Sequence, residues 1–95
     1  MQFEWDASKN RANLLKHGID FATAARVFAD PDCMLLEDRI DKTGERRWHA
    51  LGRAGGTEPV LIVVHVYRES SDAEEIIRII SARKARARES RAYFQ

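Results

Sequence analysis

The sequence has few of the residues that cross-link small proteins through disulfides or metal ions. Its 95 residues contain a single cysteine, Cys33, so no disulfide can form within the chain. One thiol and three separated histidines also give none of the spacings that are typical of a zinc site. A reducing compartment suits such a chain, and we therefore expect a cytoplasmic protein.

We also expect neither a secretory signal nor a membrane anchor. The chain starts Met-Gln-Phe-Glu-Trp-Asp, without the basic and apolar regions of a signal peptide. No apolar run approaches the roughly 18 residues needed to cross a bilayer. The length predicts one domain over residues 1–95, with a core just large enough to fold alone.

Positive charge is concentrated at the C-terminal end of the chain, although the net charge is only +1. Residues 1–77 hold 10 Lys or Arg against 14 Asp or Glu, whereas residues 78–95 hold 6 against 1. A basic end on an acidic domain indicates an anionic partner, which could be nucleic acid, an acidic protein or a lipid surface. The alternative is a charged helix that is simply solvated.

Two helices are predicted in the first third of the chain. Asp6 and Asp20 are N-capping residues placed before segments with helical periodicity. Gly18 supplies the left-handed turn that ends the first helix at about His17, and Asp30-Pro31 ends the second.

Extended segments follow, with turn residues between them. The candidate strands are residues 33–37, 46–52, 60–68 and 74–82, after a short edge strand at residues 3–5. Short connections favour an antiparallel meander, and a final helix is expected over residues 83–91. The sequence thus predicts an α+β fold, with two N-terminal helices packed on a four-stranded antiparallel sheet and a C-terminal helix.

Arg78 is the most unusual residue of the last strand, because it interrupts a run of isoleucines. A buried guanidinium is costly unless it is paired or reaches a polar cleft. Arg78 therefore either forms a salt bridge, with Glu75 or Asp6, or faces an anion. Strict alternation gives Arg78 and Arg83 opposite parity, so the two need not act from the same side.

Several segments together resemble the BrnT toxins. They are Phe3-Glu4-Trp5-Asp6 with Lys9 and Asn13, then Lys16-His17-Gly18, Phe21, Ala24, Val27-Phe28, Glu45-Arg46, Gly52, the apolar strand, and Arg78-Ile79-Ile80-Ser81-Ala82-Arg83. The resemblance covers nearly the whole chain. It implies a RelE-like ribonuclease toxin of a type II toxin–antitoxin pair, which cleaves RNA and stops translation.

The same resemblance implies partners. A BrnA-like antitoxin is expected to neutralise the toxin in a heterotetramer and to supply the DNA-binding part of the complex. The toxin itself would contact RNA and no membrane.

Cleavage of RNA without a metal or other cofactor sets three tasks. The 2′-hydroxyl must be activated, the phosphorane charge stabilised, and the departing 5′-oxygen protonated. Arginine suits the second task, because its planar fork engages phosphate oxygens and keeps its charge. The expected catalytic residues are Arg78, Arg83, Glu45, His17 and Lys16, and the expected RNA-binding residues are Arg46, Arg47, Arg68, Lys84, Arg86 and Tyr93. Proton transfer could also come from His65 or Tyr93, and His49 is expected to be merely exposed.

Each candidate has a structural alternative. His17 could complement the helix dipole, Glu45 could pair with Arg47, and Tyr93 could anchor the last helix to the sheet. At the level of function, the alternatives are a non-catalytic nucleic-acid-binding module and a domain that accepts an acidic amphipathic partner. Internal ion pairs at both Arg78 and Arg83, with no open pocket beside them, would end the case for catalysis.

Overall fold

A mixed sheet of five strands, in the order β1-β5-β4-β3-β2, forms the centre of the computed structural model, which describes residues 1–95. The elements are β1 (Gln2–Glu4), α1 (Ala7–His17), α2 (Phe21–Ala25), β2 (Met34–Ile40), β3 (Arg46–Arg53), β4 (Val60–Glu69), β5 (Glu75–Lys84) and α3 (Ala87–Tyr93). Short 3-10 helices at Arg26–Ala29 and Ala54–Gly56 follow α2 and β3.

The prediction of a four-stranded antiparallel sheet is wrong, because β1 adds a fifth strand that runs parallel to β5. Short loops explain the antiparallel order from β2 to β5. They do not indicate which segment forms backbone hydrogen bonds with the outer edge of β5. Phe3 pairs with Ile77 on that edge, and its ring lies 5.5 Å from the ring of Phe28 between centroids. Backbone hydrogen bonds to β5 and packing of Phe3 in the core therefore both hold β1 in place.

The two predicted N-caps are confirmed. Asp6 Oδ1 accepts from the backbone N–H groups of Ser8 and Lys9 at 2.8 and 3.0 Å, and Asp20 Oδ1 accepts from that of Thr23 at 2.7 Å. Gly18 closes α1 with a φ of 72°, a left-handed conformation that glycine adopts without strain. The second helix tightens into a 3-10 helix after Ala25.

The last helix starts later than predicted, at Ala87 instead of residue 83. Residues 83 and 84 continue β5, because Arg83 pairs with Ile62 and Lys84 with Leu61. Pairing with β4 therefore extends β5 to Lys84, although the composition of the residues that follow Ala82 favours a helix.

Helices α1 and α2 cover one face of the sheet, where the larger core cluster is buried. Its members are Ile19, Phe21, Ala24, Val27, Ala50, Ala54, Leu61, Val63, Ile77, Ile79 and Ala82. Helix α3 covers only part of the other face, around Leu51, Val60, Ile62 and Tyr93. No helix has the length and apolar content to span a membrane.

A β-bulge in β5 changes which side chains share a face. Val64 and His65 are neighbours on β4, but their partners on β5 are Ser81 and Ile79, so Ile80 is an extra residue. An extra residue reverses the alternation of the strand beyond it. Consequently Arg78, Ser81 and Arg83, opposite Val66, Val64 and Ile62, lie on one face.

Candidate active face

Four arginines converge on the sheet face opposite α1 and α2, which we call the arginine face. They are Arg47 on β3, Arg68 on β4, and Arg78 and Arg83 on β5. The partners of Arg78 and Arg83 are four residues apart on β4, which corresponds to about 13 Å along the strand. An extended polyanion lying along the strands could therefore meet several guanidinium groups.

Each of these arginines is paired with a carboxylate. The distances are 3.5 Å for Arg47 to Asp41, 3.5 Å for Arg68 to Glu45, 2.6 Å for Arg78 to Glu4 and 2.9 Å for Arg83 to Glu89. The arginine side chains keep between 27% and 48% of their surface exposed. Ion pairs exposed to this degree contribute at most about 1 kcal/mol each, so a phosphate can compete for the guanidinium groups at small cost.

The β2–β3 hairpin holds Arg47 through Asp41. Asp41 Oδ1 accepts from the hydroxyl and backbone N–H of Thr43 and from the backbone N–H of Glu45, at 2.6, 2.9 and 3.1 Å. These bonds, led by the one from the Thr43 hydroxyl, lower the pKa of Asp41 to about 2. Asp41 therefore stays ionised and keeps the guanidinium of Arg47 near the face.

Two polar side chains of helix α3, Glu89 and Tyr93, attach it to the rest of the protein. Both oxygens of Glu89 accept from the guanidinium of Arg83 at 2.9 Å, which lowers the pKa of Glu89 to about 2. The Tyr93 hydroxyl donates to Asp30 at 2.6 Å and accepts from Arg53 Nε at 3.2 Å. Tyr93 is only 7% exposed, so its ring anchors the helix and presents no free surface to a base.

Other predicted site residues lie away from the arginine face. Lys16 and His17 end α1, which packs on the opposite face of β5. Arg46 points to that side too, and its Nη1 donates to both carboxylate oxygens of Glu37 at 2.9 Å. Lys84 lines a depression beside Gly18 on the helix side. Arg86, by contrast, is exposed at the start of α3, which packs on the same side of the sheet as the arginine face.

The condition that argued against catalysis is met in part. Arg78 and Arg83 are ion-paired, and neither lines any of the five main surface depressions of the protein. The side chains in these two pairs are 27% to 36% exposed, however, so the pairs are not internal. A depression of about 330 Å³ does lie at the hairpin tip beside Arg39, Lys42 and Arg47. The candidate site is thus an open face and not a closed pocket.

Residues 5–89 match the family model described as the ribonuclease toxin BrnT of type II toxin–antitoxin systems. The chain belongs to the BrnT family. The resemblance seen in the sequence is confirmed, and membership makes the protein a ribonuclease toxin whose system includes an antitoxin. Comparison with individually curated proteins gives no match.

Sequence reasoning missed one side chain of this BrnT chain. His49 lies on the arginine face, with its Nε2 3.4 Å from a carboxylate oxygen of Asp38. The alternation Glu45-x-Arg47-x-His49 along β3 could have revealed it, because these three residues share a parity. Glu45 itself pairs with Arg68 rather than with Arg47. No group of three or more His, Cys, Asp or Glu side chains is arranged to hold a metal ion.

Proposed function

We propose that this BrnT toxin is a metal-independent endoribonuclease of the cytoplasm that inhibits translation by cleaving RNA on the arginine face. The observation that carries the proposal is the bulge at Ile80, which brings Arg78 and Arg83 to the same face as Arg47 and Arg68. Cleavage by the RNA's own 2′-hydroxyl demands stabilisation of a negative phosphorane, and guanidinium groups supply it without any redox or metal chemistry.

Glu45 is the proposed general base. Its carboxylate lies 3.5 Å from Arg68 and is 31% exposed, so RNA can reach it. The carboxylate takes the proton of the 2′-hydroxyl while the 2′-oxygen forms a bond to phosphorus and the bond to the 5′-oxygen breaks. The products are a 2′,3′-cyclic phosphate and a 5′-hydroxyl.

The carboxylates that pair with the arginines also fit this proposal. Glu4 and Glu89 hold Arg78 and Arg83 on the face in the absence of RNA. A phosphate can replace either carboxylate, because the exchange gives up only a partly exposed ion pair. Arg86, exposed at the start of α3, extends the positive surface and is proposed to contact the RNA backbone.

A BrnA-like antitoxin is the proposed partner, in a heterotetramer that contacts DNA only through the antitoxin. Strand β2 forms the open edge of the sheet and exposes three apolar side chains there. They are Leu35, Leu36 and Ile40, which are 46% to 59% exposed. Such an edge gives a partner chain both apolar surface and free backbone groups to cover. Co-expression with the adjacent gene, followed by measurement of the complex mass, tests both the partner and the stoichiometry.

The decisive experiment compares Arg78→Gln with Arg11→Gln. Arg11 is exposed on α1, away from the arginine face, and makes no ion pair or side-chain hydrogen bond. In buffer with EDTA, we expect wild type and Arg11→Gln to cleave RNA equally. Arg78→Gln should lose about 10²–10³-fold in rate, which is the usual cost of removing one donor that stabilises a transition-state anion.

The ends of the products and the effect on cells complete the test. The new 5′ ends should accept a label from polynucleotide kinase directly, since they carry hydroxyl groups. RNA that stays intact with the wild-type protein at low salt, together with equal growth of cells expressing wild type and Arg78→Gln, would refute the enzymatic proposal. A graded loss of RNA binding with no cleavage would instead favour the non-catalytic binding module.

A further inference from the structure

The three histidines of the protein lie in three different environments. His17 ends α1 on the helix side of the sheet. His65 is fully buried, with its ring nitrogens 3.0 Å from the Val63 carbonyl and 3.2 Å from the Tyr67 hydroxyl. Only His49 lies on the arginine face, where its side chain is 27% exposed. It is therefore the one imidazole that RNA bound on this face can reach.

The register of the sheet places His49 between the arginines. It pairs with Val64, which pairs in turn with Ser81, and this row lies between the Val66–Arg78 row and the Ile62–Arg83 row. Two strand spacings, about 9.5 Å, separate the backbones of His49 and Ser81. A phosphate above Val66 would thus lie in the row of Arg78, one row (about 7 Å) from His49 on one side and from the Glu45–Arg68 pair on the other.

Most other groups that could donate a proton on this face are already committed. Glu4, Asp41 and Glu89 are each paired with an arginine, and the Tyr93 hydroxyl donates to Asp30. The charged groups that face His49 are Asp38 from β2 and Arg47 from its own strand, and β4 presents Val64. No hydrogen bond of the fold occupies the other ring nitrogen of His49, which leaves that nitrogen available to a substrate.

We propose that His49 is the general acid of the cleavage reaction, an inference that rests on the proposed ribonuclease function. As the bond between phosphorus and the 5′-oxygen breaks, the imidazolium gives its proton to that oxygen, while Glu45 takes the proton of the attacking 2′-hydroxyl. Attacking and leaving oxygens lie on opposite sides of phosphorus in such a displacement, so two separate groups are needed. Asp38 is a positioning residue that orients the ring through the nitrogen it contacts.

Substitution of His49 and of a control residue outside the proposed site tests the assignment. We expect His49→Gln to lower the cleavage rate by about 10²–10⁴-fold, the usual contribution of a general acid, and Arg11→Gln, at an exposed position on α1, to leave it unchanged. Asp38→Asn should reduce kcat with little change in KM. Melting temperatures of all variants control for folding.

An RNA substrate with sulfur in place of the 5′-oxygen at the cleavage site separates a chemical role from a structural one. A thiolate leaves without being protonated, so His49→Gln should cleave this substrate at nearly the wild-type rate, whereas Arg78→Gln should remain slow. The inference is overturned if the sulfur substrate fails to rescue His49→Gln, or if His49→Gln cleaves ordinary RNA normally. In either case wild-type cleavage and the defect of Arg78→Gln would still support the ribonuclease proposal, and their absence would remove it.

Discussion

Replacing Asn13 by alanine tests how α1 is held against the sheet. Asn13 is 7% exposed, and its amide group donates to the carbonyls of Ile19 and Ala82, both at 2.9 Å. Its Oδ1 accepts from the backbone N–H of Ala82 at 3.1 Å. One side chain therefore satisfies three backbone groups and joins α1, the start of α2 and the last strand beside Arg83.

The expected loss of stability follows from the number of hydrogen bonds that the Asn13 side chain makes. Each lost hydrogen bond costs about 0.5–1.5 kcal/mol, and more where the former partner stays buried without another. Asn13→Ala should therefore lower the free energy of unfolding by about 3 kcal/mol, a large part of the 5–15 kcal/mol that is typical of such a domain. In a domain of this size, that loss lowers Tm by more than about 10 °C.

Asn10→Ala is the matched control. Asn10 lies on the same helix, but its side chain makes one such bond, accepting from the backbone N–H of Phe21 at 2.8 Å. Both substitutions gain the same helix propensity from alanine, so the difference between them isolates the hydrogen bonds. Thermal and urea unfolding should show a loss of about 1 kcal/mol for Asn10→Ala. Equal losses for the two variants would refute the reasoning.

Three further predictions concern stability and access to the face. Burial lowers the pKa of His65, so the unfolded chain binds the proton more readily and stability should fall as the pH drops below about 6.5; NMR of the imidazole should show no titration until well below that pH. Tyr93→Phe removes the bond to Asp30 and should speed hydrogen exchange in α3 while the sheet stays protected. Glu89→Gln weakens the pair with Arg83 and should tighten RNA binding at low salt, as measured by fluorescence anisotropy.

Local features of the fold were predictable where chemistry acts over a few residues. Asp6, Asp20 and Gly18 marked the helix ends correctly, because capping depends on backbone groups two to four residues away. The position of β1 was not predictable in the same way. Its partner Ile77 is more than seventy residues distant, and many strands could have covered that edge.

The candidate site was predictable in its residue types but not in its assembly. Arg78, Arg83, Arg47, Arg68 and Glu45 were all expected from the sequence, and the structure places them on one face. No pattern along the chain separated them from Lys16, His17, Arg46 and Lys84, which lie on the helix side. It also undervalued His49, because exposure alone does not show which neighbours a side chain has.

The amino-acid sequence by itself determined the family, the α+β class, the helix ends and the concentration of positive charge near the C-terminus. Only the tertiary structure decided that this charge forms a face. Strand alternation sends Arg78 and Arg83 to opposite sides, and the extra residue Ile80 brings them together. Whether a strand carries a bulge depends on its pairing with β4 across the sheet, and the order of residues along β5 does not record that pairing.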